Sequence, residues 1–192
     1  MQMEDYAAEH LLTSVNAHHD RVSMHGLRRS LMEKQLKSIG LPYSTLELPE
    51  NPSMEEYDKL MHTKIQYFKE NEFSHSAFGD IFLEDLRKYR DEKLASVGLE
   101  GVYPLWKQDT KELLEEFLSL GFKTILISIN LEKLPQEFCG RIIDESFIAD
   151  LPAEVDPCGE NGEFHTFCFD GPLFSKPVDF KLGEQIIRSY PN

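Results

Sequence analysis

The chain has 192 residues, enough for one large domain or two small ones sharing a core. Its hydrophobic share of 41% and charged share of 28% are ordinary for a soluble globular protein, no apolar run approaches membrane-spanning length, and the acidic N-terminus lacks the build of a signal peptide. A formal net charge of −14 opposes binding to nucleic acid or to anionic membranes; it suits a cationic substrate or a basic protein partner, and equally plain solubility.

Residues 1–10 are polar, without strand alternation, and read as the last turns of a helix. Residues 11–16 form a short β-rich run, a buried strand, with the loop 17–21 at its carboxyl end. From Met24 the apolar residues Leu27, Leu31, Met32, Leu36 and Ile39 fall at helical spacing, and Gly40 closes that helix. Residues 43–48 alternate as a strand should. Ser53 and Glu56 have capping-box spacing at the head of the next helix, where Met54, Tyr57, Met61, Ile65 and Phe68 make a core-facing stripe. Residues 75–81 predict another strand, leading into a helix with Phe82, Leu86, Tyr89 and Lys93 on one side. This alternation of strand and helix, joined by right-handed crossovers, predicts a parallel sheet covered by helices.

Residues 94–101 carry two glycines and read as a bridge, dividing the chain into units 1–96 and 97–192. Residues 102–105 make a short edge strand, because Pro104 has no amide to donate. Asp109 or Thr110 caps a helix through Leu120, with Leu113, Phe117 and Leu120 inward and Gly121 at its end. Residues 122–129 are the most apolar strand and are expected at the centre of their sheet. A helix around 141–151 follows, then a cleanly alternating strand at 164–170, a turn at Gly171-Pro172, and one or two edge strands in 173–192. Cys139, Cys158 and Cys168 are odd in number and lack Cys-x-x-Cys spacing, which indicates neither a disulfide framework nor a structural zinc site and fits a reducing cytoplasm.

Site chemistry concentrates in 156–166, where Gly159 and Gly162 flank a run of acids, an asparagine and a histidine. His165 lies in the alternating strand, so of Phe164 and His165 one faces the core and the other does not. Cys158 has no basic neighbour in sequence and reads as a small filler. Ligands of open α/β sheets bind beyond the carboxyl ends of the strands. Three further segments fall at such ends: Asn16 with His18-His19-Asp20, Gly79-Asp80, and Trp106. Gly79 would let backbone lie against a nucleotide. Asp80 would orient a ribose hydroxyl or hold magnesium, or else cap a helix. Glu84 and Arg87 share a helix face as a surface ion pair or as substrate ligands. His25-Gly26 is read as opening a helix whose amides receive an anion. Trp106 either stacks on a cationic group or packs between the units. His18, His19 and Asp20 resemble metal ligands, but adjacent histidines in a strand face opposite ways, and no metal centre is expected there.

The run Gly159-Glu-Asn-Gly-Glu-Phe-His-Thr166, with Asp20-Arg-Val-Ser-Met-His-Gly26, Gly79-Asp-Ile-Phe-Leu-Glu-Asp-Leu-Arg87 and Tyr103-Pro-Leu-Trp106, resembles the diphthine–ammonia ligase family of N-type ATP pyrophosphatases. The resemblance implies a Rossmann-like (HUP-type) parallel sheet with flanking helices plus a smaller C-terminal α/β unit. It implies a cytoplasmic ATP-dependent C–N ligase using ATP and Mg2+: a substrate carboxylate, which can be protein-borne as in diphthine, is adenylated and then aminated by ammonia. Taken with the positions above, it gives Glu160, Glu163 and His165 catalytic roles; Glu84, Arg87, Gly159, Asn161 and Trp106 substrate-binding roles; and Asn16, His25, Gly26, Gly79 and Asp80 nucleotide-binding roles. The family opens with a strand and a Ser-Gly-Gly-Lys-Asp-Ser loop that grips ATP phosphates, and the 192 residues contain no such run. The sheet is therefore expected to miss its first strand, with two bare edges that invite homo-oligomer pairing, and the chain to hydrolyse ATP poorly. The alternative reading is a substrate-binding or regulatory module that keeps the 159–166 pocket without catalysis.

Overall fold

A computed structural model describes residues 6–188. The first strand, β1 (Leu11–Asn16), pairs in parallel with β3 (Tyr43–Leu48) along its whole length. On its other side β2 (Arg21–Val22) returns antiparallel against Val15 and Asn16. Between them runs α1 (Arg29–Ile39), ended by Gly40 in the left-handed conformation with φ 83°. The helix starts five residues later than the periodicity predicts. Met24 and Gly26 have φ of 65° and 72°, outside the helical region, and Met24 projects into solvent.

The capping box at Ser53 and Glu56 is made in full and opens α2 (Met54–Glu70), although only the later part of the stripe, Ile65 and Phe68, is buried. The strand expected at 75–81 stops at β4 (His75–Ala77), and α3 (Glu84–Ala95) follows. β5 (Glu100–Val102), two residues earlier than expected, pairs in parallel with β4 and so crosses the predicted boundary at 96/97. Asp109 caps α4 (Thr110–Ser119) by accepting from the amides of Lys111 and Glu112. Leu114 is the buried residue of that helix, and Leu120, expected inward, is exposed.

The last sheet is antiparallel: β6 (Lys123–Ile129) against β7 (Phe164–Asp170). Between them a short 3-10 turn (Gln136–Phe138) and α5 (Glu145–Asp150) cover less of 141–151 than expected. No helix or strand forms in 6–10 or 173–188; the rest of the predicted terminal elements lies outside the described residues.

The continuous parallel sheet expected from element order is not what forms. Among the described residues the strands divide into three small sheets, β2-β1-β3, β4-β5 and β6-β7. One reason is visible at β1, whose outer edge at Val15 and Asn16 is taken by the returning β2. Nor is β6 central in a wide sheet. Its apolar character has another cause: both faces of the β6–β7 ribbon are covered. Leu126 and Phe164 pack with Leu114, Phe138, Ile143 and Phe147, whereas Ile125 and Phe167 pack with Val15, Met32, Leu36 and Val178. The second group joins β1 and α1 to the C-terminal ribbon. Burying a side chain of this size stabilises by roughly 1.5–3 kcal/mol. A third, smaller cluster of Ile65, Leu94 and Leu99 sets α2 and α3 against β4–β5. No helix among the described residues is long and apolar enough to cross a membrane.

Candidate functional site

The loop before β7 is held from inside. Asp156 Oδ1 accepts from the amides of Cys158 and Glu160, a local turn that explains the aspartate at its head. Gly159 has φ +70°, and a Cβ there would stand 2.9 Å from the Phe164 ring, so both conformation and packing require glycine. Glu163 is only 2% exposed. Its carboxylate accepts from the Asp156 amide at 3.2 Å, the Asn161 amide at 3.0 Å and the Asn161 side chain at 3.2 Å. Burial alone would raise its pKa, but these hydrogen bonds together outweigh it and hold the pKa below the ordinary glutamate value. Glu163 and Asn161, read from the sequence as catalytic and substrate-binding, thus spend these groups on clasping the loop.

Glu160 faces the other way. Its Oε1 accepts from the backbone N–H of Ile81 at 2.9 Å, and the carbonyl of Ile81 accepts from the Lys107 amide at 2.7 Å. Three segments far apart in sequence, 79–81, 106–107 and 159–163, are therefore tied at one buried residue. Beside this tie lies a mostly apolar hollow of about 460 Å3 whose lining includes Gly79, Ile81, Leu105, Phe164 and Thr166, with Glu116 and Glu160 as its carboxylates. A Cβ at Gly79 would meet nothing within 4 Å, so packing does not demand glycine there, and the backbone lies open to the hollow. Cys158 also lines it. Its thiol donates to the Thr110 carbonyl, and burial, with Asp156, Glu160 and Asp109 nearby, pushes its pKa up to about 12. Such a thiol is an inert filler, as the sequence suggested.

Asp80 is buried, 9% exposed, with Oδ2 3.2 Å from Arg90 Nε. Burial raises its pKa and Arg90 partly offsets this. It caps no helix, because α3 begins at Glu84 with Leu83 at the cap position. A carboxylate enclosed and already matched by a guanidinium does not fit the open, oxygen-rich surroundings a magnesium ion keeps.

Glu84 and Arg87 do not pair with each other. Glu84 reaches Lys107 at 3.4 Å, and Arg87 reaches Asp91 at 3.7 Å. The Arg87 guanidinium lies 4.6 Å from the centroid of Tyr103 and 4.5 Å from that of Trp106, so the cation stacked on the tryptophan is the protein's own arginine. Arg90 similarly covers Phe78, and Phe78 stacks on Tyr103. Glu84, Arg87, Asp91 and Trp106 line a second, shallower depression of about 360 Å3.

His165 belongs to neither hollow. Strand alternation turns Phe164 and Thr166 towards the first hollow and His165 away from it, where its ring stacks on His25 at 4.6 Å and 14°. Burial lowers the pKa of both, and for His165 the neighbouring His25 adds to it. His25 and Gly26 lie in a turn and open no helix, so the anion-binding reading of their amides loses its basis; the Gly26 carbonyl instead accepts from Arg21 Nη1. The side-chain amide of Asn16 is spent on backbone, accepting from the His19 amide and donating to the Glu50 carbonyl. Residues 17–20 are a turn and not a strand, so alternation does not separate His18 from His19.

The tie at Ile81 joins two of the motif segments that carry the resemblance, 79–87 and 159–166, and comparison with known proteins agrees with that resemblance. Residues 109–189 match the diphthamide synthase C-terminal domain family. The chain belongs to the diphthine–ammonia ligase family. A diphthine–ammonia ligase of Danio rerio is 30% identical over 135 residues, covering 67% of this chain and 53% of that protein. The Rattus norvegicus protein of the same name is 27% identical over 168 residues, covering 84% and 60%, and that of Schizosaccharomyces pombe is 31% identical over 86 residues, covering 43% and 14%. The chain thus spans about half the length of the vertebrate relatives it matches. Sequence reasoning missed the Ile81 backbone, Arg90 and Tyr103. The spacing of Arg87, Arg90 and Asp91 on one helix was the available signal, but their aromatic partners come from other segments.

Proposed function

We propose that the chain carries the substrate side of an ATP-dependent amide ligase acting on a carboxylate, with ammonia as nitrogen donor and the diphthine of the family as substrate class. The observation that carries this reading is the double tie at Ile81, where Glu160 and Lys107 meet one residue beside a hollow lined by Gly79, Ile81 and Glu160. In the reaction a substrate carboxylate oxygen attacks the α-phosphate of ATP and pyrophosphate leaves. The nitrogen lone pair of ammonia then attacks the acyl carbon, AMP leaves, and the nitrogen gives up a proton. Glu160, the carboxylate of the hollow that also holds the Ile81 amide, attracts ammonium and takes that proton. The apolar walls exclude water that would otherwise hydrolyse the activated acyl group. Glu163 positions Glu160 by fixing the loop, and Gly79 gives the nucleotide or acyl group close access to backbone.

Two structural readings go with it. The parallel pairs β1–β3 and β4–β5, though in separate sheets here, correspond to elements of a Rossmann-like, HUP-type fold, and magnesium is held by ATP phosphates and not by Asp80. Since the 192 residues contain no Ser-Gly-Gly-Lys-Asp-Ser run, the chain by itself is expected to release pyrophosphate slowly from ATP. Titration calorimetry with ATP and, separately, with glycine betaine, a cationic carboxylate, tests the assignment. Betaine binding that Glu160→Gln abolishes supports it; binding unchanged in Glu160→Gln removes the site. Tight betaine binding with no ATP binding favours the alternative, a substrate-binding module without catalysis.

A further inference from the structure

We propose that His18, His19 and Glu50 form a site for a divalent transition-metal ion of the zinc type, joining the turn after β1 to the loop after β3. His18 Nε2 and His19 Nε2 stand 3.7 and 3.6 Å from the same oxygen, Glu50 Oε1, and ligand atoms of all three lie within 4.8 Å of one another. These separations are too long for hydrogen bonds. They are close to the edge of a coordination tetrahedron: with metal–nitrogen and metal–oxygen bonds of about 2.0–2.2 Å, ligand atoms sit roughly 3.3–3.5 Å apart. A small inward movement of exposed side chains closes the difference.

The donor set selects the ion. Two imidazoles and one carboxylate suit zinc, nickel, cobalt or copper, whereas magnesium and calcium take oxygen ligands. The backbone supports the arrangement from both sides through Asn16. Its Oδ1 accepts from the His19 amide at 3.0 Å, and its Nδ2 donates to the Glu50 carbonyl at 2.9 Å. One side chain therefore fixes the spacing between the histidine turn and the glutamate loop, the task that supporting groups perform around metal ligands. All three ligands are exposed, so an ion enters without opening the fold, and a fourth position stays available to water or to a ligand group. The site uses none of the residues around Ile81, so it stands or falls apart from the ligase reading.

The test is titration of the full chain with Zn2+ alone, followed by calorimetry and by the histidine ring resonances in NMR. The expected result is a one-to-one complex in which the His18 and His19 resonances shift first. Glu50→Gln weakens it by more than about tenfold, Asn16→Ala weakens it about tenfold at unchanged stoichiometry, and the His18→Ala/His19→Ala double variant loses it. The proposal is overturned if zinc shifts other histidines and leaves His18 and His19 in place, if the double variant binds as well as the parent, or if no saturable binding is seen. Because the resonances are read in the unaltered protein, a variant that fails to fold does not obscure the answer.

Discussion

Glu160 Oε1 accepts a 2.9 Å hydrogen bond from the Ile81 backbone N–H, joining the loop before β7 to the segment after β4 across 79 residues of sequence. A carboxylate accepting from a backbone amide in a partly buried setting contributes about 1.5–3 kcal/mol. Glu160→Ala should lower the urea midpoint by an amount worth about 1–2 kcal/mol at an unchanged slope. Glu160→Gln retains an oxygen acceptor and should lose much less stability while abolishing betaine binding. Equal losses in the two variants would mean that the tie depends on charge and not on the acceptor.

Glu163→Gln replaces an acceptor with a donor facing donors, inside a loop where the residue is 2% exposed. A loss of about 1–3 kcal/mol is expected. The pH dependence follows from the sign of the shift. Because the folded pKa lies below the unfolded one, the stability Glu163 adds is complete above the ordinary carboxylate range and is lost as pH falls through the folded value. Denaturant midpoints measured against pH should therefore fall on the acid side in the parent and run flatter in the variant.

His25 and His165 stack face to face, and burial lowers both pKa values. A histidine shifted downwards favours the neutral ring in the fold. Its contribution to stability is whole above about pH 6.5 and is lost as pH falls through the folded value. NMR titration should find both rings below the ordinary histidine value, and His25→Ala should move His165 back upwards. A His165 that titrates identically with and without His25 would show the stacking to be electrostatically silent.

The two site glycines should behave oppositely. Gly159→Ala forces a side chain into positive φ and against the Phe164 ring, with an expected cost of about 1–2 kcal/mol. Gly79→Ala meets open space, so its stability should stay within about 0.5 kcal/mol of the parent. Its effect, on the proposed reading, appears in ligand affinity instead.

Trp106 reports on Arg87. Removing the guanidinium in Arg87→Ala should shift tryptophan emission and lower stability by about 0.5–1 kcal/mol. It also uncovers an aromatic face, so a quaternary ammonium probe should then quench that emission more strongly than in the parent.

What the sequence settled by itself is local. The capping box at Ser53 and Glu56, the left-handed close at Gly40, the Asp109 cap and the alternation of β7 are all as the residues dictate. Each depends on groups within about four positions of one another, where backbone geometry fixes which atoms can meet. The expected convergence of strand-end segments in one cleft did not form as read: Gly79 lines the first hollow, Trp106 the second, and the Asn16–Asp20 segment neither. Partnership between distant segments was decided only by the tertiary structure. Ile125 and Leu126 are consecutive and apolar whether a strand is flanked by strands or covered on both faces by side chains, and only packing chose the second. Glu160 and Glu163 look alike as residues of one acidic loop. One reaches Ile81 and the other is enclosed by its own loop, because glycines at 159 and 162 let the backbone turn between them. His18 and His19 came together for the same kind of reason: the chain there turns instead of extending, held by an asparagine that grips a loop more than thirty residues away.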